Sequence, residues 1–334
     1  MTLHPTSAAA LVDVQAGAPT LALSLSRVGV TGVEKVIRLL QNDIEQLFWA
    51  RFECVIELGP HQKGAHMSRF EEVINEAIGE VVLGDVSFKA ETLAERIAQL
   101  VRTRQGARRA EVRVEARFPE HKPAPVSAIN TQELYTLHGC AVATELGTRR
   151  LVGVTAQGMT ACPCAQELVA ANARERLHEE GFDASEVERI LEAVPVATHN
   201  QRGLGTLLVG CTELCEEEIE AGTLLEIVES SMSSEIYELM KRSDEAHVVE
   251  KAHRRPRYVE DCVREMARGV IARFPTLDDR AFVSARQVNL ETIHQHNVVA
   301  ERFGTLGEIR AELSTGQPAE RHTDERTWLA ALAD

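Results

Sequence analysis

The sequence predicts an α+β protein made of two similar halves. Segments with alternating apolar residues, as in half-buried strands, are interspersed with segments whose apolar residues recur every three or four positions, as in amphipathic helices. The 334 residues suffice for two domains of roughly 150 residues each. Strands and helices recur in both halves, so we expect an internal duplication of one α+β unit.

The first half begins with an arm at 1–22 that we expect to be mobile, because Pro, Ala and Thr occur in it without periodicity. Ser68 with Glu71, and Thr92 with Glu95, form the capping-box pattern of a helix start, and Gly106 is typical of a helix end. The predicted elements are strands at 21–30 and 47–58, helices at 68–82 and 92–106, and strands at 110–118, 134–146 and 149–158.

The second half is predicted to contain a similar set of strands and helices. Ser185 and Glu188 form a further capping-box pattern, and Pro256 is typical of a first helical turn. The predicted elements are helices at 164–181 and 184–194, a strand at 205–214, helices at 223–242 and 256–274, and a strand pair at 281–303 broken near its histidines. We therefore predict one unit at 23–158, a second at 159–312 with a helical insert at 164–194, and a tail at 313–334.

Composition and charge narrow the classes of function. The net charge of −15 disfavours general nucleic-acid binding, which needs a basic surface. No apolar run approaches the roughly 18 residues of a membrane span, and the N-terminus lacks the basic start of a secretory signal. The seven cysteines are odd in number and scattered, which favours a reducing cytoplasm over a disulfide scaffold. We expect a cytoplasmic protein with no nucleic-acid or membrane partner.

Two basic islands interrupt the acidic chain. They are HQKGAHMSRF at 61–70 and KAHRRPR at 251–257. Such clusters are suited to an anionic small molecule, because a phosphate group needs only a few local Arg or Lys side chains. Solvated surface charge is the alternative interpretation of both.

The stretch GMTACPCAQE at 158–167 places Cys162 and Cys164 on either side of a proline. A catalytic metal site, a structural metal site and inert buried cysteines are all compatible with it. The only other close pair, Cys211 and Cys215, is a weak signal for a structural site, which normally has four protein ligands. A dithiol redox pair usually has two intervening residues, and here there is one.

Four further polar clusters carry candidate donors: ATHNQRG at 197–203, 233–253, YVEDCVRE at 258–265 and LETIHQHN at 290–297. His294 and His296 would share one side of a strand, whereas Glu291 would face away unless a turn or bulge intervened. Cys, His and Glu together suit Zn²⁺ or Fe²⁺, and three protein ligands plus water are typical of a catalytic metal.

These motifs together resemble the GTP cyclohydrolase type IB family. HQKGAHMSRF, the Cys-Pro-Cys stretch, HNQR, KRSDE with VEKAH, YVED and ETIHQH occur in the family's order, over residues 25–312. The long connection between Cys164 and His199 is similar to that of the archaeal methanopterin-pathway members, since compact bacterial members have a shorter one.

The resemblance implies a fold and a reaction. The fold is the tunnelling fold, with two tandem ββαα-type units whose sheets form barrels in an oligomer, for which we expect a tetramer. In the reaction, metal-activated water opens the guanine imidazole ring of GTP at C8 and releases formate. The ribose then recloses to a 7,8-dihydroneopterin triphosphate or 2',3'-cyclic phosphate, in the first step of folate or methanopterin biosynthesis.

The resemblance also implies roles for individual residues. One divalent ion is expected, with Fe²⁺ foremost and Mn²⁺ or Zn²⁺ as alternatives, and Glu250 is an alternative ligand to Glu245. The implied metal ligands are Cys162, His199, Glu245 and His294; the implied catalytic residues are Cys162, Cys164, Glu291 and His296; Glu260 is the implied guanine anchor, and Lys63, Arg69, Arg254 and Arg255 are expected triphosphate partners.

Two alternatives to the enzyme are considered. The first is a non-catalytic purine- or pterin-binding protein of the same fold, in which a metal is structural. The second is a metal-free structural protein. Formate release, GTP binding and metal content distinguish the three.

Overall fold

The computed structural model describes residues 15–41, 44–82, 89–213, 215 and 217–331. The first 14 residues of the arm expected to be mobile lie outside this range. The strands are β1 (Leu25–Gln41), β2 (Ile44–Leu58), β3 (Arg109–Pro123), β4 (Asn130–Thr144), β5 (Thr148–Ala161), β6 (Asn200–Cys211), β7 (Ser234–Glu235), β8 (Phe282–Leu290) and β9 (Val298–Thr305). The helices are α1 (Met67–Val82), α2 (Ala90–Gln105), α3 (Pro163–Glu179), α4 (Ala184–Ala193), α5 (Ala221–Ser231), α6 (Arg242–Arg254), α7 (Val259–Arg273), α8 (Leu306–Thr315) and α9 (Glu325–Ala330).

The strands form one antiparallel sheet in the order β1-β2-β3-β4-β5-β6-β8-β9, with the short β7 beside β5. Each half contributes two strands, then helices, then two strands, which agrees with the expected repetition. The predicted division at residue 158 falls inside β5, which pairs without interruption with β4 and β6. The division into two units therefore stays a prediction, and the predicted insert at 164–194 corresponds to α3 and α4.

Helices cover one face of the sheet. The core between the helices and the sheet includes Phe52 of β2, Phe70 of α1 and Ile97 of α2, all fully buried. Gly139 of β4 lets α2 approach closely, since a Cβ there would lie 2.2 Å from the carbonyl carbon of Ala90. The close approach explains why a glycine occupies a central strand.

The opposite face of the sheet is charged in its middle and apolar at one end. Arg109, Glu111 and Arg113 of β3 form ion pairs there. The chain's last helix, α9, folds back onto this face. Trp328 packs against Phe282 with ring centroids 5.6 Å apart, and its indole N–H donates to the Arg280 carbonyl at 2.8 Å. The C-terminal tail is therefore part of the folded protein.

Several predicted elements were wrong in extent. The predicted helix at 223–242 ends at Ser231, because the next residues turn to pair with β5, and Ser233 and Ser234 are buried. The predicted caps at Ser68 and Thr92 lie inside α1 and α2, and the observed capping box of α4 is Asp183 with Glu186. In contrast, Gly106 ends α2 in the left-handed conformation, as predicted.

Element boundaries also moved. Strand β1 continues to Gln41, well past the predicted end at residue 30, because it forms a long hairpin with β2. Helix α7 begins at Val259, so Pro256 precedes the helix. Among the described residues, no helix is long and apolar enough to cross a membrane.

Candidate active site

The Cys-Pro-Cys stretch forms the junction between β5 and α3. Cys162 is the N-cap of α3, and its Sγ accepts a hydrogen bond from the Ala165 N–H at 3.5 Å. Pro163 occupies the first helical position, where its fixed φ suits the helix and its missing N–H removes no helical hydrogen bond. Cys162 therefore lies at the N-terminus of α3, whereas Cys164 lies exposed in its first turn.

The start of β6 lies directly beside this junction. The Cys162 N–H donates to the His199 carbonyl at 3.1 Å, and the Thr198 hydroxyl donates to the Cys162 carbonyl at 2.8 Å. These bonds extend the pairing between β5 and β6, in which Ala161 lies opposite Asn200. Two motifs more than thirty residues apart in sequence therefore meet through their backbones.

The ring of His199 is held from one side. Its Nδ1 lies 3.1 Å from Oε1 of Gln201, a residue that is 5% exposed. Since an amide oxygen only accepts, Nδ1 carries the proton and the other ring nitrogen, Nε2, is left with a free lone pair. His199 is thereby oriented as a ligand or a proton acceptor through Nε2.

Glu291 is brought to His199 by a turn. Strand β8 ends at Leu290, so the alternation that would have pointed Glu291 away stops one residue earlier. Oε2 of Glu291 lies 3.7 Å from Nδ1 of His199, and the side chain is 5% exposed. This oxygen is buried and has no hydrogen-bond partner. A buried, unpartnered carboxylate oxygen is costly, which points to a functional role for it.

Two more histidines complete this side of the site. The ring of His294 lies edge-on to that of His199 with centroids 6.3 Å apart, and it stacks on His296 at 5.2 Å. Both belong to the bend between β8 and β9 and are exposed. The predicted break in the strand pair near these residues is confirmed.

The N-terminus of α7 meets that of α3. The Arg257 N–H donates to the Ala161 carbonyl at 2.9 Å, and the phenol of Tyr258 lies beside Cys164. Loss of hydration, with Cys164 and Cys162 next to it, raises the pKa of Tyr258. Glu260 lies in the first turn of α7 and is exposed. Two helix N-termini thus converge where an anionic substrate would be stabilised.

The C-terminal end of α6 also lies against α3. The Gln166 amide donates to the carbonyls of Val196 at 2.8 Å and His253 at 2.6 Å. The predicted ligand Glu245 is in the first turn of α6, roughly 12 Å along the helix axis from His253. Its alternative, Glu250, is nearer to that end and pairs with Arg254 at 2.9 Å.

The expected triphosphate partners lie in two places. Arg254 donates to the carbonyls that end α4, at Glu192 and Ala193, and Arg255 donates to the Ser230 carbonyl at 2.6 Å. Both are therefore near the junction of α3, α6 and α7. The other two follow β2 in the chain, where Arg69 donates to the Arg104 carbonyl at 3.1 Å and Lys63 is exposed.

Four residues beside the site were not singled out from the sequence: Gln166, Gln201, Arg257 and Tyr258. All four stand inside motifs that were quoted: Gln166 in GMTACPCAQE, Gln201 in HNQR, Arg257 in KAHRRPR and Tyr258 in YVED. Their contacts depend on strand register and helix start, which the motifs alone do not give. Gln166 acts through contacts with distant backbone carbonyls, for which sequence carries no signal.

The donor types fit a divalent metal. Cys162 and His199 offer a sulfur and a nitrogen ligand, and the buried Oε2 of Glu291, which has no hydrogen-bond partner, lies beside His199. Across the described ranges, no three His, Cys, Asp or Glu side chains are grouped closely enough to hold an ion. Side-chain rotation of the exposed His294 or His296 would be needed to add ligands.

Fold and site together describe an α+β protein of the tunnelling-fold class. Uricase from Arthrobacter globiformis superposes with a TM-score of 0.50 at 7% identity, over 84% of this chain and 93% of that one. At this identity the likeness concerns the fold alone. It confirms the expected fold class.

The chain belongs to the type I GTP cyclohydrolase folE2 family, which matches residues 11–300. GTP cyclohydrolase MptA of Methanococcus aeolicus is 40% identical over 307 residues, covering 90% of this chain and 99% of that protein. GTP cyclohydrolase MptA of Methanococcoides burtonii is 40% identical over 308 residues, covering 90% and 96%. The resemblance to this family is confirmed.

Proposed function

We propose that this protein is a metal-dependent GTP cyclohydrolase that opens the guanine imidazole ring of GTP at C8 and releases formate. One observation carries the proposal within a chain of this family. The buried, unpartnered carboxylate of Glu291 lies beside His199, whose backbone is bonded to Cys162. We further propose a 7,8-dihydroneopterin 2',3'-cyclic phosphate as product, since similarity to the long archaeal members favours it over the triphosphate.

Cys162, His199, His294 and a carboxylate, Glu245 or Glu250, are the proposed metal ligands. A divalent ion held there would lower the pKa of a bound water toward about 7 and so supply a nucleophile at neutral pH. Among ions, Fe²⁺ is proposed, and a thiolate and imidazole donor set also accepts Mn²⁺ or Zn²⁺.

The remaining residues would bind substrate and move protons. The two carboxylate oxygens of Glu260 can accept hydrogen bonds from the N1–H and the exocyclic amine of guanine. A glutamine has only one oxygen, so it could not accept both bonds with separate oxygens. We propose that Glu291 and His296 exchange protons during ring opening and reclosure. Cys164, which lies beside Tyr258, is proposed to face the substrate carbon.

The guanine ring and its reacting carbon are proposed to lie at the N-termini of α3 and α7, beside Cys164 and Glu260. The triphosphate is proposed to extend from there toward Arg254 and Arg255, because arginine side chains bind phosphate well. Arg255 is held near this position by its hydrogen bond to the Ser230 carbonyl at the end of α5. Arg254 connects α6 to the end of α4 through its hydrogen bond to the Glu192 carbonyl. Lys63 and Arg69 would reach a triphosphate only from another part of the assembly, as expected for a site shared between subunits.

Self-association, with a tetramer as the proposed form, follows from two features. Strands β1 and β9 are at the edges of the sheet, where Val36 is 62% exposed and Val299 is 57% exposed. Unpaired edges with apolar residues favour pairing with a further copy. The site is also open on one chain, since Cys164, His294 and His296 are exposed. Closure of a barrel between copies would cover the sheet edges and the open site. We propose that the enzyme is cytoplasmic.

A formate assay tests the activity directly. Metal-free protein is supplied with Fe²⁺, Mn²⁺ or Zn²⁺ in parallel under anaerobic conditions and incubated with GTP. We expect stoichiometric formate and a pterin whose mass identifies a cyclic phosphate. Tight GTP binding without formate would instead support the non-catalytic purine-binding protein, and normal folding with no bound metal would support the structural one.

Replacing Glu260 with glutamine is expected to raise KM for GTP by roughly 10- to 100-fold, because a charge-assisted pair of hydrogen bonds to guanine is lost. Steady-state kinetics with GTP and inosine triphosphate provide the measurement. Inosine triphosphate lacks the exocyclic amine, so the substitution should cost less with it. An equal loss for both nucleotides would argue against a guanine contact.

Replacing Gln201 with leucine is expected to weaken metal binding by roughly 10- to 100-fold, because Nδ1 of His199 loses the acceptor that fixes its tautomer. Metal titration of the purified protein measures the Kd. The matched variant Gln201→Glu keeps an acceptor and should retain most of the affinity. Unchanged affinity in the leucine variant would exclude Gln201 as a positioning residue.

A further inference from the structure

Two cysteines outside the active site lie in unusually close contact. Cys211 ends β6 and is 5% exposed, and Cys215 follows in the loop toward α5 and is partly exposed. Their Sγ atoms are 2.7 Å apart, well inside the van der Waals contact of two sulfur atoms. In the sequence, this pair is only a weak signal for a structural metal site.

Among the residues that the structure describes, no third His, Cys, Asp or Glu side chain is grouped with this pair closely enough to hold a metal. Both sulfurs lie near the Glu217 carbonyl, at 3.9 Å from Cys211 and 3.7 Å from Cys215. A structural zinc site would need four donors, and no cluster of metal-binding side chains exists in the described part of the chain. An S–H group is a weak hydrogen-bond donor, so a hydrogen bond between the two thiols does not explain why the sulfur atoms are so close.

The pair is reachable from solvent. Cys211 lines a cavity of about 250 Å³ together with Lys89, Arg150 and Glu217. Lys89 pairs there with Glu218 and Arg150 pairs with Glu95, so the cavity carries charges of both signs. Burial raises the pKa of Cys211, so the partly exposed Cys215 is the sulfur that reacts first.

We propose that Cys211 and Cys215 form a reversible intramolecular disulfide. The Cys215 thiolate attacks a small-molecule disulfide, forms a mixed disulfide and releases one reagent thiol. Cys211 then attacks the mixed disulfide, forms the Cys211–Cys215 bond and releases the second thiol. The protein loses two electrons and two protons, and the reagent disulfide is reduced to two thiols.

The Cys211–Cys215 disulfide would raise the stability of the folded protein, and it lies far from the active site. His199 precedes β6 and Cys211 ends it, which separates them by roughly 40 Å along the strand. The bond would close a short loop and tie the end of β6 to the segment that leads into α5. Fewer conformations of the unfolded chain would then be available, which raises the unfolding temperature.

Peptide mapping tests the proposal on the full chain. The protein is incubated with oxidised or reduced glutathione, alkylated and digested with trypsin. Residues 203–241 form one tryptic peptide that contains these two cysteines and no others, whereas Cys162 and Cys164 fall on 151–174. We expect the oxidised sample to give peptide 203–241 unalkylated and lighter by two hydrogen atoms.

Matched variants connect the bond to stability. Oxidation should raise the Tm of the parent protein by a few degrees and leave the Tm of Cys215→Ser and Cys211→Ser unchanged. If Cys211→Ser fails to fold, Cys215→Ser and the peptide map still decide. Full alkylation of both cysteines in the oxidised native protein would overturn the proposal, as would a bound metal lost on Cys215→Ser.

Discussion

Cys164→Ala is expected to lower formate release from GTP by at least about 10²-fold while the protein keeps its metal content. Cys164 is exposed, so truncation leaves no buried cavity, and its thiol contacts Tyr258 at the meeting point of α3 and α7. Cys162→Ala should instead lose formate release and the metal together, because Cys162 is the proposed ligand. Formate assays paired with metal analysis separate these outcomes.

Glu167→Gln provides a matched control for Cys164→Ala. Glu167 lies one helical turn further along α3, is 78% exposed and pairs only loosely with Arg174 at 3.6 Å. Its replacement should leave turnover near that of the parent protein. Normal turnover in both cysteine variants would rule out the proposed division between a metal-binding and a substrate-facing thiol.

Asp244→Asn is expected to lower the Tm at neutral pH by on the order of 5 °C, because its buried carboxylate joins two parts of the fold. Oδ1 accepts from the N–H groups of Val126 and Ser127, both at 2.8 Å, at the tip of the β3–β4 hairpin. Oδ2 accepts from the Ser127 hydroxyl at 2.7 Å and from the Lys241 N–H at 2.8 Å, where α6 begins. An amide can replace only part of this set.

The same carboxylate predicts a pH dependence of stability. Burial alone would raise the pKa of Asp244, but hydrogen bonds from Ser127, Lys241 and Val126 outweigh it and lower the pKa. Its contribution to stability is therefore complete above pH of about 4, the ordinary value for an unfolded aspartate, and is lost as the pH falls further. Thermal melts between about pH 2 and 7 should show a flatter curve for Asp244→Asn.

Ser127→Ala is the matched control for Asp244→Asn, because it removes one hydroxyl donor and leaves both backbone N–H bonds to the carboxylate. Its Tm should fall by much less, and its pH dependence should follow that of the parent protein. Equal losses in the two variants would mean that the serine hydroxyl, rather than the charge, secures the hairpin.

Periodicity predicted the fold class because each strand pairs mainly with its neighbour in the chain. Such hairpins need no long-range information beyond the alternation of apolar residues. The failure at 223–242 has a tertiary cause, since Met232 packs beneath Gly158 and Gly203, and a strand pair replaces the helix there. The tunnelling fold itself was identified by resemblance, because periodicity does not specify which sheet the hairpins form.

The site was predictable in its residue types more than in its contacts. The sequence predicted that Glu291 needed a turn to reach the histidines, and β8 ends one residue before it. It could not reveal that Gln201 orients His199 or that Cys162 caps α3, since both depend on strand register and helix start. The catalytic, metal and substrate roles of these residues stay predictions until the assays above are done.

The docking of Trp328 has a consequence for any barrel that this chain builds. Helix α9 lies on the sheet face opposite the helices of the core, and in a barrel with the core helices outside, that face would turn toward the axis. Every subunit would then bring one indole and one arginine, Arg149, into the central passage. The passage would be narrowed at a fixed depth by one copy of α9 from each subunit.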